Sequence, residues 1–96
     1  MKPRRVQLSR RKGSRLPPNT VVVARPSAWG NPFRIGARGI KTNADAVRRF
    51  QKAFWMTEVH AAASIVLRGK NLACWCRLGE PCHADVLLAM ANGGGL

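Results

Sequence analysis

Acidic side chains are scarce in this chain: four Asp and Glu stand against seventeen Lys and Arg among 96 residues, a formal net charge of +13. So few carboxylates leave any acid–base chemistry short of its second acid. No apolar run is long enough to cross a membrane, which sets membrane partners aside. The basic start of the chain lacks the apolar segment of a secretory signal. Cysteine is limited to three residues. An odd count without an export signal argues against a disulfide framework and for reduced thiols, so a cytoplasmic setting is expected. The sequence shows no internal repeat.

What remains is apolar and basic. Nearly half the residues are hydrophobic, 46%, and the aromatics are Trp and Phe, as in a folded globule rather than a disordered chain. Ninety-six residues make one domain with a single modest core. A pI near 11.7 makes nucleotides and nucleic acids the first partners to consider. Arg outnumbers Lys more than twofold, and Ala and Gly are abundant, a bias that goes with a GC-rich genome.

Residues 1–15 form a basic arm with seven Lys and Arg and no acid. Arg4, Arg5, Arg10, Arg11, Lys12 and Arg15 would neutralise phosphates and release counterions whatever the base sequence. A solubilising tail is the plainer alternative. Val6-Gln7-Leu8 fits a short edge strand inside this arm.

Residues 16–92 are expected to form the domain, an α/β fold with a small, partly parallel sheet flanked by helices. Pro17-Pro18-Asn19 marks a turn, and the β-branched run from Thr20 to Arg25 a buried strand. Residues 25–33 then form a constrained loop, because Pro26 and Pro32 restrict the residues before them and Gly30 frees its own backbone. Residues 34–41 read as a flexible basic connection. Thr42-Asn43-Ala44-Asp45 resembles a capping box with Asp in place of Glu. The helix that follows carries Val47, Phe50 and Phe54 inward. A break near Met56 and Thr57 precedes a second helical run to Leu67, with Gly69 as terminator. Asn71–Cys76 is a short strand, and Pro81 or Cys82 opens a last helix that is apolar nearly all round. A flexible tail, 93–96, ends the chain.

The stretch Leu72–Leu88 holds every cysteine and one of the two histidines. Strand alternation sends Cys74 and Cys76 to one face, as small buried hydrophobes, and Trp75 to the other. By donor type, Cys74, Cys76, Cys82 and His83 make an admissible zinc set. Their spacing argues against it: one pair is C-x-C, and adjacent Cys82 and His83 diverge by about 100° on a helix. Cys82, at a helix start, is expected to favour thiolate and hence reactivity. His83 would fix a phosphate or move a proton, and Asp85 assist. Unoccupied amides at the same helix start suit a phosphate.

Loops after parallel strands gather on one sheet edge. The loops 25–33 and 76–83 would then meet, joining Arg25, Ser27, Trp29 and Asn31 to Cys82, His83 and Asp85. Arg25 offers a phosphate fork, Trp29 a stacking face and Asn31 a hydrogen-bonding edge. Alternatively, Trp29 and Phe33 cap the core while Ser27 and Asn31 close turns.

The motifs Arg25-Pro26-Ser27-Ala28-Trp29-Gly30-Asn31-Pro32-Phe33 and Leu72-Ala73-Cys74-Trp75-Cys76…Pro81-Cys82-His83-Ala84-Asp85-Val86-Leu87, with Arg5-Val6, together resemble Domain of Unknown Function 4326. The resemblance covers most of the chain. It implies a small bacterial or phage protein, common in actinobacteria, and for a phage product a host protein as partner. It implies no activity. The family pattern has Gly at Ala24 and Pro at Arg77; neither change removes a contact named above, and Arg77 adds charge beside the site.

The leading expectation is thus a cytoplasmic protein that binds a nucleotide or nucleic acid at a strand-to-helix junction, with no cofactor required. The alternatives are an enzyme on a phosphate-bearing substrate with Cys82 as nucleophile and His83 or Asp85 moving protons, a phage protein acting on a host factor, and a structural-zinc module.

Overall fold

The computed structural model describes residues 3–25 and 27–93. Pro26, the first two residues of the expected arm and all of the expected tail beyond Gly93 lie outside the described residues. Along the chain run β1 (Arg5–Gln7), β2 (Thr20–Val22), α1 (Asn43–Phe54), α2 (Glu58–Val66), β3 (Asn71–Cys74) and α3 (His83–Asn92). The strands form one sheet in the order β1-β3-β2, and both pairings are parallel. This is a small α/β fold, with a sheet that is parallel throughout. No helix among the described residues is long and apolar enough to cross a membrane.

Parallel strands need long crossovers, and the chain between β2 and β3 supplies one that contains α1 and α2. The register pairs Arg5 and Val21 with Leu72, and Val6 and Val22 with Ala73. Arg5, Val21, Leu72 and, two residues on, Cys74 therefore share one face. α3 packs on that face, where Cys82 meets Cys74 and Asp85 meets Arg5. α1 and α2 pack in turn on α3. Since α3 contacts a strand layer and two helices, it buries Ala84, Val86, Leu87, Met90 and Ala91, in keeping with its nearly all-round apolar sequence. Leu67, Leu72, Val23 and Phe50 complete the core.

Local chemistry sets the element ends. Thr42 and Asp45 close the expected capping box: the Asp45 amide donates to Thr42 Oγ1 (3.2 Å), and the Thr42 amide to Asp45 Oδ2 (3.2 Å). α1 stops at Trp55, Met56 turns to φ 63°, and Thr57 Oγ1 accepts from the Val59 amide to start α2. Gly69 and Gly93 follow α2 and α3 at φ 76° and 75°, where a side chain would be strained.

Three boundaries differ from the sequence reading. β1 is Arg5–Gln7, so part of the basic arm is woven into the sheet and hydrogen-bonded to the central strand. β2 ends at Val22, short of Arg25, because the chain turns at once and the Ser27 amide donates to the Ala24 carbonyl (2.9 Å). β3 ends at Cys74, not Cys76, because the Arg5 guanidinium draws the following loop away by donating to the carbonyls of Arg77 and Leu78.

Candidate thiol and ligand cleft

All three strands run parallel, so the segments that leave their carboxyl ends emerge at the same sheet edge. There the loop after β2 and the loop after β3 face one another across a cleft of about 540 Å³, closed on a third side by the start of α1. Arg25, Asn31 and Arg34 line one wall, Asn43 and Ala46 another, and Trp75 with the three cysteines and His83 the remainder. The two loops thus meet as the parallel arrangement implies.

Each wall is fixed by its own hydrogen bonds. Asn31 is buried, donating from Nδ2 to the Ala46 carbonyl (3.2 Å) and accepting at Oδ1 from the Phe33 amide (2.9 Å). Arg25 lies along this loop and donates from Nη1 to the Asn31 carbonyl (3.2 Å). Gly30 permits that approach, since a Cβ there would stand 2.8 Å from Arg25 Cγ and 3.0 Å from its Cα. Across the cleft, Asn43 Nδ2 donates to Glu80 Oε2 (3.0 Å), tying α1 to the loop after β3.

That loop is clamped from behind. Arg5, whose side chain is 7% exposed, donates to Asp85 Oδ2 (2.9 Å), to the Arg77 carbonyl (3.0 Å) and to the Leu78 carbonyl. Neither Arg5 nor Asp85 lines the cleft; each satisfies the other. Arg5 therefore leaves the set of arm cations free to meet phosphate, and Asp85 stands apart from Cys82 and His83 as a pairing residue.

The cleft floor is a sulfur cluster. The Sγ atoms of Cys74, Cys76 and Cys82 all lie within 4.8 Å of one another, an arrangement that could hold a metal ion. Cys74 and Cys82 are buried with Sγ atoms 2.9 Å apart. The hydrogen bond to Cys74, and then burial, push the Cys82 thiol up to about 12, outweighing His83 and the Ala84 amide, which pull it down. Burial, with Cys82 beside it, pushes Cys76 up to about 11. The Cys74 thiol is lowered, first by its bond from Cys82, with the Arg5 charge contributing. Cys82 is 1% exposed. Burial and the neighbouring sulfur thus act against the thiolate that a helix start favours.

His83 is also buried. Its Nε2 faces two carbonyls, Val23 O at 2.8 Å and Trp29 O at 3.1 Å, while Nδ1 lies 3.7 Å from Cys82 Sγ. Carbonyls only accept, so Nε2 carries a proton, and Nδ1 is the ring nitrogen that faces Cys82. The argument from helical divergence fails here because Cys82 is the N-cap, extended at φ −148° and ψ 145°, and not part of the helix.

Other expected site residues take structural roles. Ser27 Oγ accepts from the Trp29 amide (3.1 Å), closing a turn, and Trp29 packs against the core and beside Glu58 and Val59 instead of entering the cleft. In the arm, the Arg4 amide donates to Asn71 Oδ1, while Arg10, Arg11, Lys12 and Arg15 are exposed. Arg10 lies 5.0 Å above the Trp75 ring. Trp75 is 48% exposed and, with Arg34 and Asn43, belongs to the cleft without having been singled out from sequence. Its signal was the Cys-Trp-Cys triplet. Alternation hid it, since the strand ends at Cys74 and its parity does not extend to residue 75.

A model of the protein family described as Domain of unknown function (DUF4326) matches residues 6–93. No curated protein and no solved structure matches the chain.

Proposed function

The chain belongs to the DUF4326 family, whose description assigns no activity, and from the cleft we propose that it binds a nucleotide, free or as one unit of a nucleic-acid strand. One observation carries the reading: Arg25, Arg34 and the half-exposed Trp75 converge on a single cleft of about 540 Å³. That volume falls in the range of roughly 300–1,000 Å³ typical of small-ligand sites. The location agrees with the general rule that ligands of open parallel sheets sit beyond the strands' carboxyl ends. Arginine forks take phosphate oxygens, and an exposed indole accepts any base by stacking. Arg10, whose guanidinium lies 5.0 Å above the Trp75 ring, and the exposed Arg11 and Lys12 after it add contacts to flanking phosphates. The formal charge of +13 favours every such anion.

Titration with nucleoside monophosphates and with short single strands, each at several salt concentrations, tests this. Both ligand types should bind at low salt. Arg25→Ala should weaken both about tenfold, or ~1.4 kcal/mol. Removing Arg10, Arg11 and Lys12 together should flatten the strand's log–log salt slope by roughly 2, at about 0.7 per phosphate. Absence of binding to either ligand at low salt would overturn the proposal.

A further inference from the structure

We infer that Cys74, Cys76 and Cys82, with Nδ1 of His83, form a four-coordinate zinc site in the floor of the cleft. The inference is independent of the nucleotide reading. Three sulfurs brought together from the end of β3, the loop beyond it and the N-cap of α3 are one more than a disulfide uses. Zinc takes thiolates and imidazole nitrogen in tetrahedral array, with Zn–S of about 2.3 Å and Zn–N of about 2.0 Å, which makes an S···N edge of roughly 3.5 Å and an S···S edge of roughly 3.8 Å. The Cys82 Sγ to His83 Nδ1 separation, 3.7 Å, is close to that first edge. The three thiols lie within 4.8 Å of one another, and the Cys74–Cys82 pair, 2.9 Å apart, is closer than the second edge and must part to hold the ion. His83 stands outside the three-thiol group, its Nδ1 set beside Cys82 alone of the three sulfurs, so its ring moves toward the other two to become the fourth ligand.

The surroundings fit as well as the donors. A metal-ligating histidine commonly donates its other ring N–H to a carbonyl, which fixes tautomer and orientation. His83 shares its one Nε2–H between the Val23 and Trp29 carbonyls. Three thiolates and one divalent ion leave a net charge of −1, and Arg5, paired with Asp85, lies behind the loop that carries Cys76. On binding, the thiols give their protons to solvent, so uptake of zinc acidifies an unbuffered solution. Four protein donors leave no open position, so the ion is structural and stiffens the wall that carries Trp75.

The full chain, purified under reducing conditions without added metal, should contain one zinc per molecule. After stripping with a chelator it should take up one equivalent of Co²⁺, with the absorption of a tetrahedral site and strong thiolate charge-transfer bands. Cys76→Ser and His83→Asn should each weaken zinc binding by at least roughly tenfold, the low end of what even outer-shell partners contribute. Cys76 is half-buried, so its variant tests the site even if His83→Asn folds poorly, and Ser27→Ala should leave the stoichiometry at one. A stripped protein that takes up no zinc and gives no tetrahedral cobalt spectrum would overturn the site, as would a native mass two daltons low from a Cys74–Cys82 disulfide. An unchanged cobalt spectrum in folded His83→Asn would overturn the fourth ligand.

Discussion

Arg5 shows how one residue acquires a role its neighbours in sequence do not share. Composition groups it with the exposed cations of the arm, yet it is bonded to Asp85, 80 residues away, and to two carbonyls of the loop beyond β3. Nothing in the sequence pairs these positions, because their meeting depends on the register of β1 against β3. Arg5→Met should destabilise the fold by about 1–3 kcal/mol in urea unfolding, the range for losing the hydrogen bonds of a buried charged donor. Arg5→Lys should recover little of this, since a point ammonium cannot serve three acceptors set for a planar fork. Asp85→Asn should cost less, ~1 kcal/mol at most, because Asp85 is 53% exposed. Equal losses for Arg5→Met and Asp85→Asn would show the ion pair, not the carbonyl contacts, to be the clamp. Gly30 is a second such case: Gly30→Ala sets a Cβ against Arg25 and should reduce nucleotide affinity by displacing that side chain, a change that titration of the folded variant would detect.

At the scale of elements, legibility follows the range of the interactions. The capping box of α1, its inward Phe50 and Phe54, the break at Met56 and the apolar α3 are all set by residues within a few positions of one another, and all were readable. Strand ends were not, since Arg5 decides where β3 stops and so where Trp75 points. The pairing of Cys82 and His83 was likewise obscured, because helical spacing does not apply to an extended N-cap. Asp45 offers a direct check on the local chemistry. The Lys41 amide, and those of its own capping box, hold its carboxyl below the ordinary 3.8. A depressed carboxylate stabilises above its unfolded pKa and loses that contribution as pH falls through the folded value. Stability should therefore fall as pH drops below about 4, and Asp45→Asn should remove that part of the acid loss. Thr42→Ala, which removes the other half of the box, should cost about 1 kcal/mol at neutral pH.

Across the whole molecule, three parallel strands in the order β1-β3-β2 decide where function is placed. They send the basic arm, the Arg25 loop and the cysteine loop out of one edge, and α3 packs beneath all three. The motif pair and the positive charge, both plain in the sequence, could point to that edge only conditionally, since strand direction is fixed by crossovers that span half the chain. Leu87, fully buried at the centre of α3, ties the layers together, and Leu87→Ala should cost about 2–5 kcal/mol. Nucleotide binding, as proposed, takes place in the cleft at this edge. Adding a nucleoside monophosphate to isotope-labelled protein at low salt and following the amide and indole signals tests it most directly. Binding in the cleft requires saturable shifts at the Trp75 indole and at the backbones of residues 24–34 and 75–82; shifts confined to residues 9–15, or none at all, would contradict it.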